Sequence, residues 1–359
     1  MRSFTYDALP GRIVFGVGSV DRLADEVDRL DVSRALVFYD LSVKDVGDEL
    51  VERLGPRVAG EFTDIQQHVP IEVVEKARTV ARDVGADCAI TVGGGSTTGF
   101  GKVVALEPGL PLIAIPTTYA GSEMTPIYGI TSDGQKRTAN DIRVLPRTVL
   151  YDPALTISLP AFVTGPSGLN AMAHCIEALY TKDANPITSL MAEEGIGALA
   201  RGIPASVERP TDLDARSEAM YGAYLAGAAL GVVGMAIHHR ICHVLGGTFG
   251  LPHGDVNAVV LPYAVRYNQE AAPEAMARVA AALGVSDAAV GIFEFARTIG
   301  APSSLESLGL RREDLPEVVR LTVESPPWNP RPVEVDGIAA LLDDAFSGRR
   351  PDPQPGERG

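Results

Sequence analysis

Positive charge is in short supply in this 359-residue chain: 31 Lys plus Arg stand against 46 Asp plus Glu, giving a formal net charge of -15. Such a balance offers no electrostatic footprint for DNA or RNA, so nucleic acid is not an expected partner. Cysteine is scarce as well. Cys88, Cys175 and Cys242 are odd in number, widely spaced and form no CxxC pair, which points to a reducing compartment without disulfides. The opening MRSFTYDALPGRIVFG has no apolar core and no small-residue cleavage site, so it does not read as a signal peptide. No apolar run approaches the roughly 18 to 20 residues that a membrane span needs. These absences lead to the expectation of a cytoplasmic protein that makes no use of a membrane. Histidine is rare too, at six residues, but its distribution is uneven. Only His68 lies in the first 170 residues, whereas His174, His238, His239, His243 and His253 fall close together.

The length allows two domains and a sizeable core. Up to about residue 155, short β-branched apolar runs alternate with helical stretches, the rhythm of a parallel sheet covered by helices. The clearest strands are ALVFY (Ala35 to Tyr39), CAITV (Cys88 to Val92) and LIAI (Leu112 to Ile115), with helical spacing from Ile71 to Val84. After Asp152-Pro153 the texture shifts to Ala, Leu, Met and Glu, as in AMAHCIEALY and EAMYGAYLAGAALGVVGMAIHH, which predicts long helices with little strand. The expected organisation is an α/β nucleotide-binding domain over residues 1–155 and an all-helical catalytic domain over 156–347. The polar, Pro- and Gly-rich end, 348–359, is expected to be a disordered tail.

GGGSTTGFGK, from Gly93 to Lys102, follows a buried strand and leads into an apolar stretch. Glycines let the backbone approach a pyrophosphate closely, and a helix N-terminus offers unpaired N–H groups. Gly94, Gly95, Ser96 and Thr97 are therefore candidate phosphate contacts. Asp40 stands at the end of ALVFY, where a carboxylate accepts from a ribose 2'-hydroxyl and repels a 2'-phosphate, favouring NAD(H) over NADP(H). Thr117, Thr118 and Ser122 lie just beyond the third strand, at the sheet edge where ligands sit in open α/β folds.

In the second half, Asn170 and His174 are four apart, as are His239 and His243, so each pair shares a helix face. His253 follows a Gly-Gly-containing helix end and is placed to fold back over the same face. Converging imidazoles suit either a metal ion or proton transfer. His238, turned about 100° from His239, is read as an ordinary packed histidine.

Together, GGGSTTGFGK, PTTYAGSEMT, the Asn170/His174 pair, His239, His243 and PHG resemble the iron-containing (group III) alcohol dehydrogenase superfamily over nearly the whole chain. FTYDALPGRIVFG, GLNAMAHCIEALY, LPRTVLYDP and WNPRP are most similar to its maleylacetate reductase branch. The resemblance implies a dehydroquinate synthase-like architecture, reduction of maleylacetate or a close relative to 3-oxoadipate with NADH or NADPH, and a homodimer. In metal-dependent members an Asp and three His bind the ion, and the matching positions here are Asn170, His174, His239 and His253. With the carboxylate replaced by an amide, no metal is expected, as in that branch; three histidines plus water leave a metal-dependent alcohol or aldehyde dehydrogenase as the alternative.

Lys136 matches a cofactor-contacting lysine of the superfamily, and the nicotinamide is expected near it and near Thr117 and Thr118. His243 and His253 are the expected proton donor and ketone polariser. His174 and His239 are expected to donate to a substrate carboxylate, with Asn170 beside them, while Arg240 and Arg331 clamp the dicarboxylate. The reductases run close to PHAETHxVVLPHA where this chain has PHGDVNAVVLPYA, a departure that brings Asn257 into the substrate site. Cys242 is expected to pack rather than react.

Overall fold

The structure, a computed structural model, describes residues 4–66, 69–132 and 135–352, without the side chains of Gln135 and Lys136. The chain divides into two compact units. The first comprises Asp7–Leu159 and Thr211–Met220. Its strands are β1 (Arg12–Phe15), β2 (Ala35–Tyr39), β3 (Val58–Phe62), β4 (Cys88–Gly93), β5 (Leu112–Pro116), β6 (Ile127–Ser132), β7 (Gln135–Asn140) and β8 (Thr148–Tyr151). Its helices are α1 (Leu23–Arg29), α2 (Lys44–Leu54), α3 (Ile71–Asp83) and α4 (Gly95–Leu106). Six strands form one parallel sheet in the order β1-β8-β5-β4-β2-β3, while β6 and β7 pair as a separate antiparallel hairpin.

The three strongest apolar runs become β2, β4 and β5, buried along their whole lengths as strands covered on both faces must be. Alternate side chains serve opposite cores. Val37, Ile90 and Ile113 meet Val27 and Leu54 on one face, while Leu36, Phe38 and Ala89 meet Val74, Phe100 and Val104 on the other. On the second face Phe62 and Phe100 stack with centroids 5.5 Å apart.

The helical unit holds residues 4–6, Pro160–Pro210 and 221–352. Its helices are α5 (Ala161–Tyr180), α6 (Pro186–Glu208), the latter part of α7 (Leu213–Leu230), α8 (Ile237–Phe249), α9 (His253–Asn268), α10 (Pro273–Leu283), α11 (Ala288–Thr298), α12 (Leu315–Glu324) and α13 (Val335–Ser347). α5 is buried on all sides from Gly168 to Tyr180 and packs on α6 and α9. The polar side chains it carries at Asn170, His174 and Glu177 are therefore interior groups that need partners.

Three expectations need correction. The boundary falls at Leu159/Pro160, and Thr211–Met220 joins the α/β unit, where the buried Arg216 donates to Tyr119 Oη at 3.2 Å and to the Leu159 carbonyl at 3.3 Å. The end of the chain is ordered as far as Asp352: Arg266 donates to the Pro351 carbonyl from Nε at 3.1 Å, and Arg349 N–H bonds the Asp344 carbonyl at 3.0 Å. The rest of the expected tail, 353–359, lies outside the described residues. Finally, residues 273–298 are apolar enough by composition for a membrane span. Gly284, at φ 70°, and Asp287, whose carboxylate caps Val290 N–H, break that stretch into two 11-residue helices, each about 16 Å long.

Candidate active site

In the α/β unit, β2 is followed by α2 and then β3 on one side, whereas β4 is followed by α4 and then β5 on the other. The connections thus part between β2 and β4, and a crevice opens there at the carboxyl ends of the strands. Asp40 and the glycine loop flank it. Gly94 is the N-cap of α4 with no side chain capping it, so Gly95, Ser96 and Thr97 form a first turn whose N–H groups have no helical acceptor. The turn requires Gly93 at φ 151°, where a Cβ would come within 2.6 Å of Thr97 Oγ1.

Side chains tighten this crevice. Thr97 Oγ1 donates to Asp40 Oδ2 at 3.1 Å, and Asp40 Oδ1 accepts the Ser42 N–H at 2.8 Å. Thr97 is fully buried and its hydroxyl is engaged by Asp40. Thr117 N–H donates to the Gly93 carbonyl at 3.1 Å, and Thr118 packs beside Gly94. Ser122 is tied to Lys102, a residue given no role from sequence although it ends the glycine segment. The fully buried Lys102 Nζ donates to the carbonyls of Ser122, Thr125 (2.7 Å) and Ile127 (3.0 Å) and to Thr125 Oγ1 (3.1 Å). Burial pulls its ammonium down to about 7, against the opposing field of Glu123. Its signal in the sequence was a lysine on an otherwise uncharged helix, eight residues past the N-cap. Lys136 lies on β7, but its side chain is outside the described residues.

In the helical unit, α5, α8 and α9 bring the histidines together. The His174 and His239 rings stack with centroids 4.7 Å apart, His239 meets His243 at 6.3 Å, and His243 stacks with His253 at 6.2 Å. Asn170, His174 and His239 are buried, while His243 and His253 are exposed. Burial, reinforced by the neighbouring histidines, holds His174 and His239 well below the usual imidazole range, and it lowers His238 to about 3. All three are neutral at pH 7. His238 is the packed core residue expected, its Nε2 lying 3.1 Å from the Asn257 carbonyl, and Cys242 is likewise a buried packing residue.

Sequence reasoning missed Glu177. It sits at i+3 from His174 and i+7 from Asn170, on the same α5 face, which was the available signal. The carboxylate is fully buried; Oε2 accepts from His239 Nδ1 (2.7 Å) and Ala236 N–H (2.8 Å), and Oε1 from His238 N–H (2.8 Å) and Tyr180 Oη (3.3 Å). Ala236 is the N-cap of α8, so a carboxylate from α5 caps the helix that carries three of the histidines. Burial pushes Glu177 up from the usual carboxylate range, while these donors pull it down.

Four expected roles change. Arg240 donates to the Leu321 carbonyl on α12, and Arg331 lies 4.2 Å over the Tyr267 ring and donates to the Tyr267 carbonyl at 3.2 Å. Both guanidinium groups are thus engaged in helix packing through part of their donors. Asn257 is fully buried, with Nδ2 donating to the His253 carbonyl at 2.6 Å, so it stiffens the first turn of α9 instead of facing a ligand. His239 turns Nδ1 to Glu177 Oε2, which leaves only Nε2 to face a ligand.

The donor set also tests for a resident dication. Ligand lone pairs lie in the imidazole plane, so the His174 and His239 rings, 19° from parallel, aim side by side rather than at one point. Among the described residues, the donor atoms that gather within 4.8 Å of one another belong to Glu177, His238 and His239, a group already closed by hydrogen bonds. Asn170 supplies no charge. A neutral amide in place of a carboxylate lowers the affinity of this set for a dication, while His174 Nδ1 and His239 Nε2 stay buried without a hydrogen-bond partner among the described residues.

A parallel α/β unit with a glycine crevice, joined in one chain to a helical unit with this histidine order, is matched by two family profiles. Iron-containing alcohol dehydrogenase covers residues 10–153, and the C-terminal part of the Fe-containing alcohol dehydrogenase family covers 164–346. The chain belongs to the iron-containing alcohol dehydrogenase family. It is 50% identical over 351 residues to a maleylacetate reductase of Burkholderia cepacia, spanning 98% of this chain and 100% of that one. A solved structure of a putative alcohol dehydrogenase from Ralstonia eutropha JMP134 superimposes with a TM-score of 0.97 at 53% identity, over 98% of this chain and 100% of that one. A maleylacetate reductase from Agrobacterium tumefaciens does so at 0.94 and 47%, with the same coverage. The expected family and fold class are borne out, and the chain is an oxidoreductase.

Proposed function

We propose that this member of the family reduces maleylacetate, or a closely related unsaturated keto-dicarboxylate, to 3-oxoadipate with a reduced nicotinamide cofactor. The observation that carries the reading is the end-to-end identity of about half with maleylacetate reductases. The neutral Asn170 supports a reaction that runs without a metal. When bound, the nicotinamide would supply a hydride to the alkene carbon β to the ketone; the π electrons would shift to leave an enolate, and a proton would close the α carbon. The cofactor supplies the redox chemistry and the protein supplies position and charge. When bound, the cofactor's pyrophosphate would be held by the N–H groups of Gly95, Ser96 and Thr97 and its ribose by Asp40, a carboxylate that favours NADH over NADPH. His243 and His253, the exposed pair of the cluster, polarise the ketone oxygen and deliver the proton. The nicotinamide contact of Lys136 and a homodimeric assembly belong to the same proposal.

The test is a panel of maleylacetate, substituted maleylacetates and simple aldehydes, followed by loss of reduced-nicotinamide absorbance. Turnover of maleylacetate that survives dialysis against a strong chelator is the expected result, with His243→Ala and His253→Ala each about 100-fold slower in kcat. Activity on aldehydes alone, lost on chelation and restored by ferrous or zinc ion, would establish the metal-dependent alternative.

A further inference from the structure

We infer that Glu177 is a positioning residue: it holds His239 in a single tautomer, with the proton on Nδ1 and a bare lone pair on Nε2. The assignment starts from a group that has no choice. The Asn257 carbonyl can only accept, so His238 Nε2, 3.1 Å away, carries that ring's proton. His238 is neutral, which leaves its Nδ1 as an acceptor, 3.3 Å from His239 Nδ1. His239 Nδ1 also lies 2.7 Å from Glu177 Oε2, so it faces two acceptors and must be the donor. The ring is neutral, and no proton remains for Nε2, which is buried and has no hydrogen-bond partner among the described residues.

Glu177 is fixed well enough to impose this choice. Its oxygens accept from Ala236 N–H, His238 N–H and Tyr180 Oη as well, so it does not turn unless the α8 N-terminus moves with it. A carboxylate held on one imidazole nitrogen sets the tautomer and raises the basicity of the other. The buried end of the histidine face therefore accepts a hydrogen bond. The ligand group received there is an O–H or N–H, such as a bound water or the enol form of the substrate ketone, and not a carboxylate. Both carboxylates of a keto-dicarboxylate must then lie away from His239. This assignment rests on the proposed reaction for its catalytic meaning, and for the tautomer on hydrogen-bond geometry between two buried, neutral rings.

The experiment uses the full-length protein with isotope-labelled histidine and long-range proton–nitrogen correlation spectra. Wild type is expected to show His239 protonated at Nδ1 and bare at Nε2; protonation at Nε2 overturns the inference. Glu177→Gln is expected to lose the single tautomer and to lower kcat with maleylacetate about 10- to 100-fold, leaving the NADH dissociation constant within about twofold. A fall in kcat with the tautomer intact makes Glu177 merely structural and also overturns it. Should Glu177→Gln fail to fold, Glu177→Asp, with the same charge and shorter reach, is read in the same two ways. A wild-type protein with the expected tautomer but no turnover of maleylacetate refutes the reaction and leaves the tautomer assignment standing.

Discussion

His174, His238 and His239 carry a cost that the fold holds only above a certain pH. Each has its pKa depressed by burial, so unfolding lets it regain the ordinary value near 6.5 and take up a proton below that pH. Their contribution is fully present above about pH 6.5 and is lost as pH falls toward the folded values, each at up to about 1.4 kcal/mol per pH unit. Glu177, Glu123, Asp255 and Asp344, raised by burial, work in the opposite sense and offset part of the loss. The unfolding midpoint in urea is therefore expected to fall steeply from pH 6.5 to pH 5, above the range where ordinary carboxylates titrate. A flat profile over that window would mean that these imidazoles are not buried and neutral. The sequence showed which histidines share a face, because i, i+4 spacing is geometry. It did not show their charge, which depends on burial, nor the fate of Arg240 and Arg331, whose guanidinium partners come from helices distant in sequence.

At the level of elements, the strand–loop–helix from β4 to α4 was legible almost to the residue, since a buried apolar run followed by three glycines admits few conformations. β2 and β5 were equally plain. β1, β3 and β8 were not singled out: β3 is only half-buried, and its VAGEF sequence carries a charge and a glycine, while β1 and β8 are four residues each. The link from Asp40 to Thr97 was invisible too, because it joins the end of β2 to the first turn of α4, 57 residues on. That link gives the element its own prediction. In Gly93→Ala the added Cβ meets Thr97 Oγ1 in a backbone region that L-residues avoid, displacing Thr97 from Asp40. The variant is expected to lose about 1–3 kcal/mol of stability by denaturant titration and to bind NADH at least tenfold more weakly by fluorescence titration. Weakened folding with unchanged NADH affinity would separate the loop from the cofactor.

Two units of different texture could be read along the whole molecule, because an alternating β/α rhythm and long apolar helices look unlike in composition. The return of Thr211–Met220 to the α/β unit could not, since it depends on where Arg216 finds its acceptors. Net charge is a property of this scale and bears on substrate entry. A dianionic substrate approaches a chain of formal charge -15, and the two arginines expected to offset that field are committed elsewhere. Screening shortens the reach of the repulsion from about 30 Å at 0.01 M salt to about 10 Å at 0.1 M. Raising sodium chloride over that range is therefore expected to increase kcat/KM for maleylacetate about two- to threefold at saturating NADH, with kcat unchanged. An attractive local field at the site would give the opposite slope, a fall in kcat/KM with salt, and would locate positive charge at the substrate that the described side chains do not supply; Lys136 would then be the first residue to replace.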